Sequence, residues 1–112
     1  MVLNNKQIQK DPNQKDIKFL LKLFNSNQLI DAKKEIDKQI AIYPNSSILY
    51  NILGAILAAQ DQLDLSIEYY KRAIKINPYY AQVHNNLGIA LQKLNKIDEA
   101  IKNYSKAISL KT

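Results

Sequence analysis

An all-α solenoid of three helix-turn-helix hairpins, six helices in all, is what this sequence predicts, and three observations carry the prediction. The only two glycines of the 112-residue chain, Gly54 and Gly88, lie thirty-four residues apart, each directly after a leucine. Two of the three prolines, Pro44 and Pro78, keep the same spacing. Apolar residues recur at three-and-four spacing, the stripe of a helix that buries one face. A fixed period of this length marks a helical hairpin that cannot bury its apolar face alone and stacks on its neighbours to share a core.

Residues 1–11 read as a flexible N-terminal arm, because the first ten are polar and aperiodic. Residues 12–112 read as one domain with repeats over about 13–46, 47–80 and 81–112. Asp11-Pro12-Asn13-Gln14 predicts a helix start, with Asp11 as the capping acid and Pro12 at the first helical place. That helix runs to about Asn25 and carries Ile17, Leu20, Leu21, Leu23 and Phe24; Ser26-Asn27-Gln28 then breaks it. A second helix is expected from about Leu29 to Ile42, stopping there because the residue before Pro44 avoids helical angles.

The segments from Ser47 and from Ala81 repeat this plan and align with each other without a gap. Asn51 pairs with Asn85, Leu53 with Leu87, Leu57 with Leu91, Asp64 with Asp98, Ile67 with Ile101 and Ile74 with Ile108. Glycine inside a helix costs about 1 kcal/mol against alanine, so Gly54 and Gly88 are expected to admit a close neighbour. Tyr70 and Tyr104 are the bulky groups expected to fill that space. Ala73 and Ala107 are the small residues of a helix crossing. Asp61 and Asn95 fall at the turns, where such residues tolerate left-handed angles.

With these residues in place the resemblance is clear. Tyr50-Asn51-Ile52-Leu53-Gly54, Leu63-Asp64, Ile67-Glu68-Tyr69-Tyr70, Ala73-Ile74 and Pro78 are similar to the tetratricopeptide repeat pattern. Asn85-Asn86-Leu87-Gly88, Asp98-Glu99-Ala100-Ile101, Tyr104 and Ala107 resemble it equally well. The resemblance implies a right-handed α-α superhelix. Over the first repeat it weakens, since Leu20 stands at the glycine place and Gln39 at the small alanine place, while Ala32 and Pro44 keep the register. A degenerate first repeat suits a terminal unit with one neighbour.

Composition narrows the function classes. With 46% hydrophobic residues the chain can build one core and is too short for two. It has no cysteine, which removes disulfides, thiolate metal sites and thiol nucleophiles and fits a reducing compartment. The longest apolar run, Ile52 to Ala59, is far short of a bilayer span, and the first ten residues are no secretory signal, so no membrane partner is expected and cytoplasmic residence is. The net charge of +6 raises nucleic acid as a partner. Its distribution argues against that: among sixteen basic residues only Arg72 is an arginine, and many lysines have an acid one turn away. Glu35 with Lys38, Glu68 with Arg72 and Asp98 with Lys102 have the spacing of solvated helix faces.

No catalytic constellation emerges, and the chain is read as a non-enzyme without cofactor or metal. His84, the only histidine, occupies a place that the family fills with a large aromatic, so it reads as packing. Without cysteine or a carboxylate pair it is no zinc site. Asp98 and Glu99 point about 100° apart on a helix and read as acids favoured by the helix dipole. Two isolated glycines form no phosphate loop.

Binding is the class that remains, and the resemblance implies a concave groove lined by the first helix of each repeat. Mapped onto this chain, its places are Ile17, Leu21 and Phe24 in the first unit and Asn51, Ala55 and Ala58 in the second. The third supplies Gln82, Asn85, Ile89, Gln92 and Lys93, with Asn86 just before its Leu-Gly. The small alanines leave room for a guest side chain, and the amides can bond an extended peptide without demanding charge. Two subclasses of the family are distinguishable by residue. The chaperone-adaptor type clamps a terminal carboxylate with basic residues, where this chain has Ile17, Ile52, Gln82 and Asn86. The type resembling the superhelix of O-linked N-acetylglucosamine transferases carries an asparagine before each Leu-Gly; Asn86 matches, whereas Ile52 and Lys18 do not.

The sequence ends within the third repeat, at the place of the family's proline, and Ile97, Ile101 and Ile108 are expected on an uncovered edge. This yields the alternative to a peptide-binding scaffold: an N-terminal structural module of a larger, transferase-like enzyme, stacking end to end or forming a homodimer through that edge. A continuation of the gene into further repeats or a catalytic domain is the favoured expectation.

Overall fold

The computed structural model describes residues 9–111, which form six helices and, among the described residues, no strand. They are α1 (Gln14–Asn25), α2 (Leu29–Ile42), α3 (Ser47–Ala59), α4 (Leu63–Ile76), α5 (Ala81–Lys93) and α6 (Ile97–Lys111). Each packs on the next, α3 also touches α5 one repeat on, and the body extends 51 × 31 × 21 Å. Residues 1–8 of the expected arm, and Thr112, lie outside the described residues.

The three hairpin turns share one chemistry. Asn27, Asp61 and Asn95 take φ values of 58°, 62° and 60°. That left-handed step lets the next amide turn back: Gln28, Gln62 and Lys96 each donate at 2.9 Å to the carbonyls of Leu23, Leu57 and Leu91. Carbonyls that the helix end leaves without partners are thereby satisfied. Asp61 and Asn95 hold the turns as expected, and Asn27 performs the same step in the first repeat.

The start of α1 corrects the capping assignment. Asn13, not Asp11, is the N-cap, accepting from the Asp16 amide at 2.9 Å. Asp11 is drawn elsewhere: its carboxylate accepts a 2.5 Å hydrogen bond from the hydroxyl of Ser46, the buried N-cap of α3. A partner thirty-five residues away outcompetes the local cap.

Close packing of α3 on α4, and of α5 on α6, depends on the two glycines. A Cβ at Gly54 would stand 2.5 Å from the Tyr70 ring, and one at Gly88 would stand 2.7 Å from the Tyr104 ring. The backbone stays near enough for the Ser66 hydroxyl to donate to the Gly54 carbonyl at 2.7 Å. Ala73 and Ala107 are buried at the crossings. In the first hairpin Leu20 is fully buried and Gln39 is 6% exposed, and α1 and α2 lie in looser apposition than the later pairs. Gln39 donates at 2.8 Å to Glu35, while its Oε1 is buried without a partner. Two core clusters result, one shared by hairpins one and two and one by hairpins two and three. The middle hairpin belongs to both.

Burial pushes the Tyr70 hydroxyl up from 10.0 to about 12, with the Ser66 hydroxyl pulling the other way. Since the folded value lies above the unfolded one, this contribution to stability is complete below pH 10 and is lost as pH rises through 12. Urea titrations across that window are expected to lose roughly 2–3 kcal/mol from this group, and Tyr70→Phe to flatten that part of the decline.

The charged residues spaced one turn apart lie on solvated helix faces. Among the described residues the ion pair within 4.0 Å is Lys33 with Asp37, at 2.6 Å, and Glu35 bonds Gln39 rather than Lys38. Arg72 leaves Glu68 for two aromatic faces. Its guanidinium lies 5.3 Å from the centroids of both Tyr50 and Tyr69, whose rings stack 6.1 Å apart at 7°. A planar cation gains more from two ring faces than from one solvated carboxylate.

Candidate functional site

The first helices of the three hairpins face a common cavity of about 360 Å³. From α1 come Leu21, Phe24 and Asn25, from α3 Asn51, Ile52 and Ala55, and from α5 Gln82 and Asn86. The apolar stripe of α1 has its inner side, Leu20 and Leu23, in the core, which leaves Leu21 40% exposed and turned to this space. Ala55 keeps the α3 wall low. Among the described residues no ionisable side chain lines the cavity.

The amides there are coupled across the repeats. Gln82 Nε2 donates to Asn86 Oδ1 at 3.1 Å, and Asn86 Nδ2 donates to Asn51 Oδ1 at 3.0 Å. The Asn51 side chain lies against the hydroxyl of Tyr80, which burial raises above its ordinary value although Asn51 pulls it down and Asp11 adds a smaller upward push. The three amides thus form one chain that joins α3 to α5 and fixes the orientation of each member.

Of the groove residues expected from the sequence, Asn51, Ala55, Gln82 and Asn86 meet at this cavity with Leu21 and Phe24. Ala58, Asn85, Ile89, Gln92 and Lys93 are not among its lining. Gln92 accepts a 2.8 Å hydrogen bond from the Tyr104 hydroxyl, Ile89 is 41% exposed, and Ile17 packs on the first core cluster. Asn25 lines the cavity without having been assigned to the groove, and Ile52, named only at the places of the family's carboxylate clamp and asparagine ladder, lines it too. Asn25 follows Leu21 by four residues, so its place on the same face was readable; Ile52 is 6% exposed and reaches the cavity from the core side.

The remaining candidates fall outside it. His84 is 7% exposed, with Nε2 3.0 Å from the Pro78 carbonyl and Nδ1 3.3 Å from Asn103 Oδ1, so it stitches the turn before α5 to α6. Asp98 and Glu99 sit exposed in the first turn of α6. No metal-binding group of three His, Cys, Asp or Glu occurs among the described residues, and no described helix is long and apolar enough to cross a membrane. A second cleft, of about 420 Å³, lies on the first hairpin alone, among Phe19 and the charged residues of α2. At the other end Ile97, Ile101 and Ile108 are 44%, 55% and 66% exposed, whereas Ile67, the counterpart of Ile101 one repeat earlier, is 7% exposed.

The family model for the tetratricopeptide repeat matches residues 45–112. No curated protein sequence matches the chain. Among solved structures, a MamA double mutant (MamA RS-1 ArsTM) is similar at 21% identity and TM-score 0.79, covering 86% of this chain and 54% of its own. Another MamA crystal structure is 28% identical with TM-score 0.78, covering 86% of this chain and 52% of its own. The chain therefore spans about half the length of the MamA proteins that it matches. The second such domain of Spaghetti (RPAP3), bound to the HSP90 peptide SRMEEVD, is 16% identical with TM-score 0.80, covering 86% of this chain and 89% of its own.

Proposed function

This chain belongs to the tetratricopeptide repeat family, and we propose that it is a protein-interaction scaffold holding an extended segment of a partner protein in the groove between α1, α3 and α5. The observation that carries this reading is the cavity where the three first helices meet, with an apolar floor beside a pre-ordered amide chain. Such a lining offers hydrogen bonds to a peptide backbone and space for its side chains, with no group arranged to make or break a covalent bond. A peptide bound to the RPAP3 domain of the same fold supports the class of ligand.

The test is to select peptides from a random display library on the intact chain and measure their binding by fluorescence anisotropy. Ala55→Arg, which fills the cavity, is expected to weaken them more than roughly tenfold, and Ile108→Lys to leave them unchanged. Peptides indifferent to Ala55→Arg would remove the groove from this role.

The exposure of Ile101, set against the burial of Ile67, favours a second reading in which the last hairpin is a stacking edge of a larger assembly. Sedimentation velocity is then expected to show a concentration-dependent dimer that Ile101→Lys abolishes; a monomer at every concentration would exclude self-association through this face.

A further inference from the structure

Resting on the groove reading, the chemistry of the lining narrows what the groove accepts. We propose that the cavity between α1, α3 and α5 selects an uncharged extended peptide that inserts one leucine-sized apolar side chain. The charge argument comes first. The chain carries sixteen basic and ten acidic residues, and among the described residues no charged side chain lines the cavity. A carboxylate or ammonium placed there would give up water without gaining a counter-charge, which is costly in a partly enclosed site. A ligand without charge gives up far less.

Shape agrees. About 360 Å³ is at the lower end of ligand pockets, room for a side chain and its adjoining backbone rather than for a large cofactor. Leu21, Phe24, Ile52 and Ala55 form the apolar part, and Leu21 has no other partner for its exposed surface than what enters. Covering it supplies the apolar gain that an inserted leucine needs.

The polar rim has a direction. Asn86 spends its Oδ1 on Gln82 and one Nδ2 proton on Asn51, which leaves its second proton free; Gln82 keeps its Oε1 free. One donor and one acceptor on adjacent turns of α5 are the complement of the carbonyl and amide of an extended backbone.

The experiment compares decapeptides from random display on the intact chain, considering those whose binding is lost in Ala55→Arg and independently weakened by Gln82→Leu, an exposed position where folding is not at stake. The expected set shares one apolar residue with uncharged neighbours. Replacing that residue by aspartate weakens binding more than roughly tenfold, and affinity changes less than about twofold between about 0.05 and 0.5 M salt. Groove-dependent peptides that require acidic residues or a free carboxyl end, such as SRMEEVD, and that weaken with salt would overturn this inference while leaving the groove reading intact. If no selected peptide responds to Ala55→Arg or Gln82→Leu, both fall together.

Discussion

Replacing Gly54 by alanine lowers stability by about 2 kcal/mol net, the balance of an overpacking cost near 3 and a helix-propensity gain near 1. The added methyl would stand 2.5 Å from Cε1 and 2.6 Å from Cδ1 of Tyr70, a stiff ring that is 3% exposed in the core between hairpins two and three. Neither the ring nor the α3 backbone, tied to Ser66 through the Gly54 carbonyl, has free space to move. The same substitution at Gly88 meets Tyr104 at 2.7 Å, but that ring is only half-buried, at the outer side of the last hairpin. It can swing outward, so Gly88→Ala costs less than about 1 kcal/mol. Urea denaturation of the two variants reads the difference, and equal losses would show that ring mobility is not what separates them. A Gly54→Ala/Tyr70→Leu double variant is expected to lose less than the sum of its single variants, because the clash is counted in both.

The glycine-tyrosine fit also shows what kind of information the sequence carries. Spacing and turn chemistry are local, so α2 runs from Leu29 to Ile42 as Pro44 dictates, and Asp61 and Asn95 adopt the left-handed step as their side chains allow. Exclusive choices between partners are not local. Asp11 has both a cap and Ser46 within reach, and Arg72 has both Glu68 and a pair of stacked rings; the winner depends on residues brought close only by folding. The groove shows the same division. The family's groove places put Asn51, Ala55, Gln82 and Asn86 on one side, whereas the hydrogen bond from Asn86 to Asn51 joins residues thirty-five apart and is made only by the fold. Six residues assigned to the groove from family places, Ile17 among them, lie beyond the cavity because a groove place describes a face of the helix, and the cavity occupies only the part of that face where three helices meet.

Leu20→Ala carries the opposite sign of lesson at the equivalent position. It moves the first repeat toward the small residue of the other two, and it is nevertheless expected to destabilise by about 3 kcal/mol. Leu20 is fully exposed to nothing but protein, in a hairpin whose second helix presents Gln39 rather than alanine and whose helices stand further apart. No tyrosine ring occupies the space that truncation would leave, so the lost methyl groups become a cavity. Because each repeat contacts only its neighbours, the loss concentrates in the terminal hairpin. Native-state hydrogen exchange should then show amides of α1 and α2 losing protection while those of α4, α5 and α6 keep most of theirs. A uniform loss across all six helices would mean that the first hairpin is bound into one cooperative unit with the rest rather than opening on its own.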